Sequence, residues 1–238
     1  MDATGHERQS GGMDPIDVVF LVYPGMTLLD LVGPYDVLHL VPGARLTLVA
    51  KTRDPVVSDT GVSLLPAATF NEIGHAHVLC VPGGFGQIAQ MDDAPTIEWL
   101  RKIGGGAAWV TSVCTGAFLL GAAGLLRGYR ATSHWASLPY LAAYGATLVE
   151  ERVVIDRNRI TGGGVTAGID MALHLAARLA SPTVAEEIQL RLEYDPAPPF
   201  HSGHPREASP AVVERARARL ADRLSQRAAQ ARAAAANR

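Results

Sequence analysis

Short unbroken apolar runs alternate along this chain with stretches in which apolar residues return every three or four positions. That alternation predicts strands and helices in turn. Ile16 to Val22, Arg45 to Lys51 and Val78 to Val81 read as strands. The continuous apolar character of the first and last suits the middle of a parallel sheet. Ala107 to Val113 is a further β-branched run, and at Cys114 its pattern changes abruptly to helical spacing that persists to Leu126. Thr27 is placed to cap a helix from Leu28 through Leu40, which Gly33-Pro34 is expected to kink or to restart at Asp36.

Later helices are predicted over Ala94 to Ile103 (closed by Gly104-Gly105-Gly106), from His134-Trp135 to about Tyr144, from near Ile169 to Leu179, and from Ser181-Pro182 to about Tyr194. Val56 to Leu65, with Asp59-Thr60-Gly61 at its centre, reads as a hairpin. Thr147 to Val149, Arg152 to Ile155 and Arg159 to Thr161 read as short strands, the last two joined by a turn at Asp156 to Asn158. Strands alternating with helices in this way predict an α/β fold: a doubly wound, mainly parallel sheet with helices on both faces.

Residues 1–15 are polar, glycine-bearing and aperiodic, and are expected to be a disordered leader, with Met13 an alternative start. Residues 16–195 form the expected α/β domain. Residues 196–238 are expected to be a stiff proline-rich connection followed by an Ala/Arg-rich helix. That helix opens at Ser209-Pro210, packs on the core, and is low-complexity after about Ala228, where a solvated, fraying end is expected.

Composition narrows the function. A formal net charge of −2 gives no reason to expect a general affinity for nucleic acid or anionic membranes. Two cysteines are too few for a disulfide framework and fit a reducing compartment. No apolar run approaches membrane-spanning length, so a soluble, cytoplasmic protein is expected. The histidines and cysteines show no metal-site spacing, and no metal is expected.

The candidate chemistry centres on Cys114. A tight strand-to-helix turn among Ser112, Gly116 and Ala117 lifts a side chain out of the sheet and places it at a helix N-terminus, where thiolate is favoured over thiol. A small buried hydrophobe is the alternative, but the carboxyl end of a strand is where α/β sheets bind ligands. Cys80, in mid-strand, reads as core. Asp30 lies between Leu29 and Leu31, as either a helix-start charge or a buried acid, and both readings stand. If buried beside Cys114, its pKa should be raised, and it is the natural proton partner of the sulfur. Pro82-Gly83-Gly84-Phe85-Gly86 is a weak phosphate-loop signal, but its glycines also suit a backbone oxyanion site. For His134 a structural role is the favoured reading, with approach to the sulfur as the alternative.

These residues together carry a resemblance. Val113-Cys114-Thr115-Gly116 with the apolar helix after it, Ser133-His134-Trp135 and Pro82-Gly83-Gly84 resemble the ThiJ/PfpI superfamily. Leu29-Asp30-Leu31-Val32-Gly33-Pro34, Thr161 through Thr166 to Asp170, and Gln189 to Phe200 are similar to its isocyanide hydratase branch. The resemblance implies a flavodoxin-like fold, a homodimer, no cofactor, and a small-molecule isocyanide as substrate. It implies Cys114 as nucleophile, Asp30 as acid where other branches carry glutamate, and Thr115, in place of the histidine of the protease-like branch, as a hydrogen-bond partner or, with Gly84, a backbone oxyanion donor. Gly83 and Gly84, with Thr166 and His134, complete the expected oxyanion and substrate-binding set.

Two rival readings use the same scaffold. One is a ligand-sensing domain of an AraC-type regulator, although only a linker and one helix follow Tyr194, too little for paired helix-turn-helix motifs. The other is a redox sensor or a glyoxalase-like enzyme working through the same cysteine.

Overall fold

The computed structural model describes residues 15–236. The expected leader over 1–15 and the alternative start at Met13 lie, apart from residue 15, outside the described residues. Eleven strands and eight helices follow in order: β1 Ile16–Leu21, α1 Leu28–Leu38, β2 Ala44–Ala50, β3 Val56–Val57, β4 Ser63–Leu64, β5 Ala68–Thr69, β6 Val78–Val81, α2 Gln87–Met91, α3 Ala94–Gly106, β7 Trp109–Val113 and α4 Gly116–Ala122. The second half contributes β8 Arg130–Ala131, α5 Leu138–Leu141, β9 Thr147–Leu148, β10 Val153–Asp156, β11 Arg159–Gly162, α6 Ala167–Leu179, α7 Pro182–Arg191 and α8 Pro210–Ala236.

Seven strands form the central sheet in the order β10-β11-β7-β6-β1-β2-β5. All neighbours are parallel except the β10–β11 hairpin at one edge. The buried strands β1, β6 and β7 occupy the middle, where a strand is covered on both faces. Helices α1, α6 and α7 pack together as one group, and α2, α3, α4 and α5 as another. Phe20, Leu79, Leu119 and Leu120 are fully buried between the layers. Each such side chain contributes roughly 1.5–3 kcal/mol relative to exposure.

Several boundaries differ from the sequence pattern. Helix α1 runs uninterrupted through Pro34. Gly33 and Pro34 are buried against α6, and a Cβ at Gly33 would lie 3.2 Å from Ile169. Packing therefore holds the helix where proline removes a backbone hydrogen bond. Helix α3 includes its three glycines instead of stopping before them. The helix after Cys114 ends at Ala122, well short of Leu126, and Gly124 follows in the left-handed region at φ 78°. The helix after His134 is brief, Leu138–Leu141 continued by a 3-10 turn. Helix α8 does not dissolve after Ala228: it continues to Ala236, and both Arg227 and Ala231 are buried. Among the described residues no helix is long and apolar enough to cross a membrane.

Candidate active site

The chain leaves β7 at Val113 and enters α4 at Gly116, so only Cys114 and Thr115 make the turn. Cys114 adopts φ 56°, a left-handed conformation that costs a non-glycine residue energy and persists only where its surroundings hold it. Its N–H donates to the Gly162 carbonyl at 2.9 Å, and its own carbonyl accepts from the Ser133 hydroxyl at 2.8 Å. Gly116 lets the turn close against β6, because a Cβ there would sit 2.2 Å from the Val81 carbonyl oxygen.

The sulfur is buried, with 6% of the residue exposed. Burial, then the nearby Asp30, push the Cys114 thiol well above its ordinary value, while the Thr115 N–H and Arg227 act the other way. This corrects the expectation of a thiolate favoured simply by a helix N-terminus. Desolvation wins over a seven-residue helix.

Asp30 stands in the first turn of α1 and is 1% exposed, which selects the buried-acid reading. Its Oδ2 accepts the Gly83 N–H at 2.9 Å, and Oδ1 is buried with no regular hydrogen-bond partner. Burial raises the carboxyl to about 7, against the Gly83 hydrogen bond and the neighbouring Cys114 thiol, which pull it down. Tyr23 braces the turn below: its hydroxyl lies 2.7 Å from the Pro82 carbonyl oxygen and 2.8 Å from that of Gly83.

The glycine turn serves the pair differently from expectation. Gly83 spends its N–H on Asp30, and Gly84 donates its N–H to Thr115 Oγ1 at 3.0 Å. Thr115 Oγ1 returns a bond to the Gly84 carbonyl at 3.3 Å, so the two residues clamp each other. Gly84 has φ 118°, and a Cβ would lie 2.3 Å from the Thr27 nitrogen, a position open to glycine alone. Neither glycine N–H is free for an oxyanion. The Thr115 N–H is the one directed at the sulfur.

A cavity of about 230 Å³ opens on Cys114 and Thr115, with Asp30 behind them outside its lining. Cys114, Thr115, Gly84, Phe85, Thr27, Asp59, His134, Ser137 and Val165 line one side. Leu220, Arg223, Leu224 and Arg227, one face of α8, line the other. Sequence reasoning missed this second wall, as it missed Ser137 and Asp59. Its signal was the i, i+3, i+4, i+7 spacing of those four residues in an arginine-rich helix. His134 does face the cavity, and burial pushes its pKa down to about 4, so the ring is neutral. Its Nδ1 accepts the Ala136 N–H at 3.4 Å, leaving the proton on Nε2. Thr166 is exposed and lies apart from the cavity, accepting from Arg152, which is also paired with Asp170. A depression of about 360 Å³ further along α8, lined by Gln230, Ala233 and Ala234 with Met91, Arg127 and Tyr144, does not include Cys114. Among the described residues no group of three or more His, Cys, Asp or Glu side chains is arranged to hold a metal ion.

Residues 17–178 match the DJ-1/PfpI family. Over 212 residues the chain is 50% identical to the isonitrile hydratase of Pseudomonas putida, an alignment covering 89% of this chain and 93% of that protein. A crystal structure of a ThiJ/PfpI family protein from Pseudomonas syringae is similar to it with a TM-score of 0.90 and 44% identity, covering 97% of each chain. The HTH-type transcriptional regulator CdhR of Pseudomonas aeruginosa is 28% identical over 179 residues, 72% of this chain but 53% of the regulator.

Proposed function

The chain belongs to the DJ-1/PfpI family, and we propose that it hydrates organic isocyanides to N-substituted formamides, with Cys114 as nucleophile and Asp30 as proton carrier. The observation that carries this reading is a buried carboxyl, poised near neutrality and with one oxygen unpartnered, set beside a buried thiol at the floor of a largely apolar cavity. The 50% identity to an isonitrile hydratase across most of the chain supports it.

The terminal carbon of an isocyanide is unusual in accepting both a nucleophile and a proton. Asp30 takes the thiol proton as the Cys114 sulfur bonds to that carbon, then returns the proton to the same carbon, giving a thioimidate. Water adds across the C=N bond: a C–O bond forms, the nitrogen gains a proton, and Asp30 removes the other. Collapse of the adduct breaks the C–S bond and expels the formamide, and Asp30 re-protonates the sulfur. Every proton and bond in this sequence is supplied by the thiol, the carboxyl, the isocyanide and water.

The remaining roles follow from position. Thr115 steadies charge on the sulfur through its N–H and holds the Gly84 turn through its hydroxyl. Gly83 fixes the acid. Neutral His134 offers Nε2–H to the substrate nitrogen. Leu220, Leu224, Val165 and Phe85 receive the apolar substituent. We assign the protein to the cytoplasm and to a homodimer, for which Leu190 and Phe200, 80% and 77% exposed, offer apolar contact surface.

The experiment is conversion of an aliphatic or aryl isocyanide to its formamide, followed by mass spectrometry. Freshly reduced wild type should form the product, and Cys114→Ala should fall to the uncatalysed background. Absence of product with wild type, together with turnover of methylglyoxal, would give the site to the glyoxalase-like reading.

A further inference from the structure

We propose that Arg227, supplied by the C-terminal helix, is the counter-ion of the thiolate that forms at Cys114, a positioning residue for the nucleophile's charge. Arg227 is 2% exposed. A buried guanidinium is costly unless an anion balances it. Yet its hydrogen bonds go to neutral acceptors, Nη1 to Ser137 Oγ at 2.6 Å and Nη2 to Gln87 Oε1 at 2.7 Å. Its carbon centre lies 4.9 Å from the Phe118 ring, and its Nε is buried with no partner. Among the described residues no carboxylate forms an ion pair with it.

What Arg227 does share is the cavity wall with Cys114. The titratable and charged groups around the two are Asp30 on α1, Tyr23 after β1, His134 and Tyr140 near α5, Tyr144 on the turn after it, and Asp59 and Arg223 at the cavity mouth. Burial keeps the tyrosines Tyr23 and Tyr144 protonated and His134 neutral. Asp30 contacts the sulfur and opposes its ionisation. Arg227 favours it, and the sulfur in turn favours the charged guanidinium. Ser137 and Gln87 fix the cation without discharging it, so it remains available to the anion that appears during turnover.

This inference deepens the hydratase reading, but its first readout is independent of it. The rate of Cys114 alkylation by iodoacetamide is measured against pH by mass analysis of the Cys114 peptide, for wild type, R227M, R227K and Q87E. Cys80 is separated by the mapping and is buried in β6, its thiol pushed up to about 12. In R227M the midpoint should move up by about one pH unit or more, with a roughly tenfold lower rate at neutral pH, while R227K stays within about threefold of wild type. Q87E places a carboxylate against the guanidinium and leaves Arg227 and its packing in place. It should shift the midpoint in the same direction as R227M, and by less when combined with R227M than the two shifts added, because both act through the same cation. An unchanged midpoint in folded R227M, or in Q87E where R227M does not fold, overturns the proposal. A shifted midpoint in a protein that forms no formamide leaves the counter-ion standing and removes only the hydratase reading.

Discussion

The two walls of the cavity are built by different means. On one side, the β7–α4 turn and the Gly83-Gly84 turn are short segments tied by backbone N–H groups that donate to the side-chain oxygens of Asp30 and Thr115, and Gly83, Gly84 and Gly116 admit no side chain. On the other, α8 is a long helix whose face happens to meet the site, and its residues act through side chains alone. The first wall fixes where bonds are made, to within the reach of a proton. In the proposed reaction the second, with Phe85 and Val165 opposite, bounds the substituent and balances charge. On that reading the reacting groups sit on the first wall while α8 contributes only to selectivity and charge balance, and substitutions should separate the two.

The largest effect belongs to the first wall. Asp30→Asn should lower kcat/KM by about 10²–10⁴-fold and remove the limb of the pH profile that wild type shows near pH 7, because the proton carrier is gone. The same change should stabilise the fold. The native carboxyl holds its proton up to about 7 against an ordinary 3.8, so wild-type stability falls as pH rises between those values and is flat above them. That rise corresponds to up to about 4 kcal/mol. The thermal midpoint of Asp30→Asn should exceed wild type at about pH 8 and converge with it near pH 4. A parallel loss of activity and stability would show that Asp30 is structural.

Leu224→Ala tests the second wall. It should raise KM for a bulky apolar isocyanide by roughly tenfold and change kcat by less than about threefold, since it removes contact area and not chemistry. An equal fall in kcat would erase the division between the walls. Thr166→Ala sets the baseline: outside the cavity, it should leave kcat/KM within about twofold of wild type.

Much of the first wall was legible in the residues. A change of period from strand to helix at Cys114 locates the turn, and a lone carboxylate among leucines marks Asp30. Glycine clusters, by contrast, announce a close approach without saying to what. The Gly83 and Gly84 N–H groups turned out to hold Asp30 and Thr115, which depends on which strands become neighbours. Thr166 shares a motif with the site but points toward Arg152. That α8 packs on the core is legible in the residues, but that its face lines the cavity is not, for a physical reason: an arginine counts as a solvent-facing charge in any periodicity, although its stem is apolar and its head can be held by neutral acceptors. Helix α2, which carries Gln87, is only five residues long and has no capping side chain to announce it.

The bond between Arg227 and Gln87 also orders events in time. It joins positions 140 residues apart, whereas β1, β2 and β6 pair between nearer neighbours in the chain. Closing so long a loop is entropically unfavourable until the sheet already exists to receive it. Helix α8, at residues 210–236, is also the last helix of the described residues to be synthesised, so the sheet and its Cys114 turn can form before the second wall is present. Removing α8 from the cavity would take away Leu220, Leu224 and Arg227 together, so the cover over Cys114 and the cation beside it come and go as one unit.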